Sequence, residues 1–140
     1  MPIDLPSFSA CDALVAVMVA VSVSDEAMRT SELLAIDRMV NHTPIFGTYD
    51  AGRVRAVAQT VFSLFEDEDG LDTLFGLIRK AVPERLFDTA YALACDVAAA
   101  DGRLGEGEWQ MLSEIREQLD IDRLHAAAIE LSAVTRHRVL

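Results

Sequence analysis

The sequence predicts an all-α fold, one compact helical domain of about seven helices arranged as two pseudo-symmetric helical-hairpin halves. Three observations lead there. Apolar residues recur at helical spacing along most of the chain, and no alternation of apolar and polar residues lasts long enough to make a strand. Prolines stand at positions 2, 6, 44 and 83, which leaves long uninterrupted stretches between them. The third observation is a self-match that pairs residues 12–40 with 88–116.

The helices follow from the residues in order. Ser7 or Ser9 caps a first helix running to about residue 24, apolar on nearly every face and therefore central. A second, at about 30–41, carries Leu33, Leu34, Ile36, Met39 and Val40 on a narrower stripe. Pro44 and Gly47 turn the chain, and a third helix starts near Asp50 and ends near Phe65. The run Glu66, Asp67, Glu68, Asp69 before Gly70 marks a solvated junction, followed by a short helix at about 71–81. Pro83 suits the first turn of a fifth helix ending near Ala100, in which Leu86, Ala90, Leu93 and Val97 form a stripe widened by Tyr91, Ala94 and Ala98. Glycines at 102, 105 and 107 open a turn, and two amphipathic helices follow at about 108–119 and 121–134.

A length of 140 residues with 51% hydrophobic residues suits one domain, spanning 1–140, without disulfides. The net charge of −11 repels phosphate backbones and anionic lipid, so no nucleic acid is expected, while cations and basic protein surfaces are favoured partners. The longest apolar run, residues 13–23, is too short to cross a bilayer, so no membrane insertion is expected. The first residues carry no base ahead of an apolar stretch, and a cytoplasmic location is expected. Cys11 and Cys95 lack CxxC spacing and a neighbouring His, and are expected to be reduced core thiols.

The self-match lays Asp12 on Asp88, Val21 on Val97, Asp25 on Asp101, Glu32 on Glu108 and Ile36 on Leu112. Each copy reads as an apolar helix, an Asp at its end, a short turn with one apolar residue, and a Glu entering the next helix. The two apolar helices are expected to pack together at the centre, where alanines and valines permit close approach. The stretch Ala94-Cys95-Asp96-Val97-Ala98-Ala99-Ala100-Asp101-Gly102-Arg103-Leu104-Gly105-Glu106-Gly107-Glu108 resembles the TerB signature. That signature is an alanine-rich helix running into Ala-Asp-Gly, an aliphatic residue, then Glu. The first half carries a worn version from Ser24 to Glu32 without the glycine. The resemblance covers about residues 10–134. It implies an all-helical, non-enzymatic bacterial module linked to tellurite resistance and stress response, with metal binding through clustered acidic residues.

Asp96, Asp101 and Glu108, joined by Asp25 and Glu32, are the candidate ligands for a divalent cation, Ca²⁺ or Mg²⁺, since hard cations take carboxylate and carbonyl oxygens. Asp101 to Glu108 has the spacing of the second half of an EF-hand loop, but Val97 and Ala99 stand where its first ligands belong, so the loop is not an EF-hand. An architectural reading stands beside the cation: Asp101 ends one helix, Gly102 takes a left-handed angle, Leu104 plugs the hairpin and Glu108 favours the first turn of the next. His42, His125 and His137 are scattered and form no zinc pattern, and no phosphate loop, nucleophile elbow or HExxH appears. The alternative function is an acidic protein-interaction module without metal. Protein partners are expected in either case, membrane-associated stress-response components among them.

Overall fold

The computed structural model describes residues 8–23, 30–100 and 106–140. Seven α-helices occupy them, with no strand among the described residues. The first is α1 (Ala10–Val23), opened by a reciprocal cap: the Asp12 N–H donates to Ser9 Oγ and the Ser9 N–H donates to Asp12 Oδ2, each at 3.0 Å. Every residue from Asp12 to Ser22 is buried, and the Ser22 hydroxyl is satisfied by the Met18 carbonyl at 3.0 Å.

Next comes α2 (Thr30–His42), then a 3₁₀ turn over Pro44–Phe46 that buries the Phe46 ring. The third helix, α3 (Arg53–Phe65), starts three residues later than Asp50, because Asp50 accepts the Gly52 N–H at 2.9 Å in an Asx turn and holds the chain out of the helix there. After the acidic junction comes α4 (Gly70–Ala81). Pro83 does not begin the fifth helix. Its ψ of 140° is extended, a 3₁₀ turn over Glu84–Leu86 follows, and α5 (Phe87–Ala98) starts only then.

The last two helices are α6 (Glu106–Gln118) and α7 (Arg123–Arg136). The end of α6 is a Schellman motif built without glycine. Asp120 takes the left-handed angle (φ 50°), the Ile121 N–H donates to the Arg116 carbonyl at 3.0 Å, and the Asp120 N–H donates to that of Glu117 at 3.1 Å. Two residues on, the Asp122 carboxylate caps α7 by accepting the N–H groups of Leu124 and His125.

The centre is the α1–α5 pair, in which Ala13, Ala16, Ala20, Ala90, Ala94 and Ala98 are fully buried. Around it the helices are disposed in matching ways. α2 packs on α1 and reaches α5, as α6 packs on α5 and reaches α1, while α3 lies along α1 as α7 lies along α5. α4, resting on α1 and α3, has no counterpart among the described residues.

Candidate functional site

Two of the five predicted acidic ligands, Asp25 and Asp101, lie outside the described residues. Glu32 and Glu108 take equivalent places, each the third residue of its helix (α2 and α6), and each is buried to 1% exposure or less. A carboxylate buried that deeply requires local compensation, and both glutamates sit in the first turn of their helices.

Asp96, in the last turn of α5, faces the end of α7. Its Oδ1 accepts from Arg136 Nη2 at 2.7 Å and lies 3.5 Å from His137 Nε2. It opens onto a cleft of about 390 Å³ shared with Arg38 and His42 of α2. The Arg136 guanidinium that holds its Oδ1, with Arg38 in the same cleft, competes with any metal for this carboxylate. Among the described residues, no three His, Cys, Asp or Glu side chains are brought together as a metal-binding group.

The first turns of the two central helices are also matched. Asp12, with no exposed surface, receives Arg53 from the start of α3 through Nε at 3.0 Å and Nη2 at 2.7 Å, and also the Tyr49 hydroxyl. Burial alone would raise this carboxyl, but the bonds from Arg53, Tyr49 and the Ser9 backbone outweigh it and bring the pKa down to about 2. Asp88, its equivalent in α5, pairs with His125 at the start of α7 at 2.9 Å. Further along α5, the buried Tyr91 hydroxyl donates to Glu130 of α7, which also accepts from Arg116 of α6 at 3.1 Å. Burial pushes the neighbouring Cys95 thiol up to about 12, which leaves it protonated and unreactive.

A further opening on these helices was not anticipated from the sequence. Between α2 and α3 runs a groove of about 740 Å³, walled by Leu33 and Asp37 on one side and Val54, Ala58 and Phe62 on the other. Leu33 is 50% exposed and Phe62 42%, while Leu34, also exposed, borders the cleft with Asp96 instead. The sequence reading placed Leu33 and Leu34 on the apolar stripe of the second helix. The structure corrects this. The buried stripe is Glu32, Ala35, Ile36 and Val40, and at 100° per residue Leu33 and Leu34 fall outside it. A hidden glutamate had displaced two leucines to the surface. In the other half, the corresponding space between α6 and α7 is closed: Trp109 packs near Leu112, Ala133 and Val134 and leaves no room for a water.

A helical module of two matched halves, with its two central helices packed against each other and a buried glutamate at the third position of α2 and of α6, is the class of protein that this geometry defines. The chain belongs to the TerB family, since the family model for tellurite resistance protein TerB matches residues 11–131. No curated protein and no solved structure gives a significant match. No described helix is long and apolar enough to cross a membrane.

Proposed function

We propose that this chain is a non-enzymatic module of the stress-response, tellurite-resistance type that works by binding another protein. The observation that carries this reading is the α2–α3 groove, where Leu33 and Phe62 expose apolar surface on a chain of net charge −11. An acidic chain of net charge −11 selects basic surfaces, through attraction that salt screens. Affinity for a partner purified after capture is therefore expected to fall as ionic strength rises, read by calorimetry in a salt series. Binding indifferent to salt would remove the electrostatic basis of the proposal.

A second reading, a divalent cation at the turn between α5 and α6, is favoured by the equivalent burial of Glu32 and Glu108 beside the two acidic turns. Asp101 and Glu108 would supply oxygens, with Asp25 and Glu32 as their counterparts; Asp96 joins them only by releasing Arg136. Calcium or magnesium is then expected to raise the melting temperature of metal-stripped protein, by an amount equivalent to about 2.7 kcal/mol at a hundredfold excess over Kd. Asp101→Asn should abolish that rise. Flat melting curves across calcium, magnesium and manganese would leave the turns as architecture.

A further inference from the structure

The two halves of the molecule give an internal comparison that says what the open groove lacks. The second and third helices of each half flank a space on the outer side of a central helix. Between α6 and α7 the corresponding space is too small for a water, and it is lined by the partly exposed indole of Trp109, which stands where α2 carries Leu33. Leucine is smaller, and the first-half groove stays open at about 740 Å³ with two apolar side chains at its mouth.

Charge indicates what kind of chain would enter. Asp37 and Arg55 on the walls offset one another. Beyond Phe62, just past the end of α3, stand Glu66, Asp67, Glu68 and Asp69, all exposed, and none is paired with a basic side chain among the described residues. A second copy of this chain would bring the same acidic run and another −11 charges to the contact, and is disfavoured by repulsion. Residues 1–7 carry Asp4 and no basic side chain, so their charge does not complement this run.

Resting on the protein-binding reading, we infer that the α2–α3 groove docks a basic amphipathic helix of another protein, with one large apolar side chain taking the place that Trp109 takes between α6 and α7. Helices laid into grooves bind through anchors at i, i+3, i+4 and i+7, and one aromatic anchor commonly dominates the affinity. Lysine or arginine on the outer face would meet the run Glu66 to Asp69.

The test uses a labelled synthetic helix with leucine and one tryptophan on its apolar face and lysine on the other, titrated with the full chain by fluorescence anisotropy. Leu33→Glu and Phe62→Glu are expected to weaken binding by about tenfold or more. Leu124→Glu, on a residue 79% exposed and outside the groove, should leave it unchanged. Neutralising all four acidic residues as Glu66→Gln, Asp67→Asn, Glu68→Gln and Asp69→Asn should flatten the salt dependence. Equal binding to wild type and Leu33→Glu, no binding at all, or a dimer in sedimentation that Leu33→Glu dissolves would each overturn the inference. A captured natural partner that still binds Leu33→Glu would refute the groove and keep the broader reading, whereas a partner search that yields no direct binder would defeat both. Circular dichroism of the variants separates lost binding from lost folding.

Discussion

Replacing Gly70 by alanine is expected to destabilise the protein by about 3 kcal/mol, near the upper end for an overpacked site. A Cβ at this position would stand 1.5 Å from the Leu64 carbonyl oxygen and 2.4 Å from its carbon. Both are backbone atoms, so no side-chain rotation relieves the clash. The start of α4 must separate from the end of α3, and both helices rest on α1. A melting temperature roughly 10 °C below wild type is the expected reading in differential scanning calorimetry. A shift of under 2 °C, taken as about half a kcal/mol, would mean that the junction yields more freely than its contacts indicate.

The second large effect concerns acid stability. The Asp12 carboxyl has a folded pKa of about 2, against an ordinary value of 3.8. A depressed carboxyl stabilises the fold above its unfolded pKa and loses that contribution as pH falls through the folded one. About 2 kcal/mol is thus present at neutral pH and disappears between about pH 4 and pH 2. Asp12→Ala should remove this acid-dependent component from denaturant-melting curves collected across that window. Arg53→Met should be worse at neutral pH than at pH 3, because it leaves a charged carboxylate enclosed until protonation relieves it. Parallel pH profiles for wild type and Arg53→Met would show that Arg53 does not hold the carboxyl down.

Much of the fold was legible because its signals are local. The cap at Ser9, the break at Pro44 and the all-round apolar character of the two central helices each depend on residues close in sequence. The pairing of the second helices was also readable: α2 occupies 30–42 and α6 occupies 106–118, so one constant offset relates them. The matching placement of α3 and α7 was not. They begin at Arg53 and Arg123, 70 residues apart, since the connection after α2 is longer than the one after α6, and a fixed-offset comparison loses register there.

The site was less legible than the fold. Glu32 and Glu108 were recognised by spacing, but a carboxylate normally signals a solvated face, and nothing local announces that both are enclosed. Asp96 reads as a ligand only while Arg136, 40 residues away, is out of view. The groove depends on Leu33, which looks like core and is not. Gly70, beside four acidic residues, suggests an open turn, and only the approach of Leu64 shows that the position is enclosed.

The α1–α5 pair also sets the order in which the molecule can assemble. Each of these helices is apolar around most of its circumference, and its largest interface lies with a segment from the opposite half of the chain. Neither hairpin can hide its central helix with local neighbours alone, so an early half emerging in synthesis keeps a sticky cylinder uncovered until the other arrives. Closing that long loop is the slow step expected of the search, and chaperone dependence would be greatest while only the first half has been made.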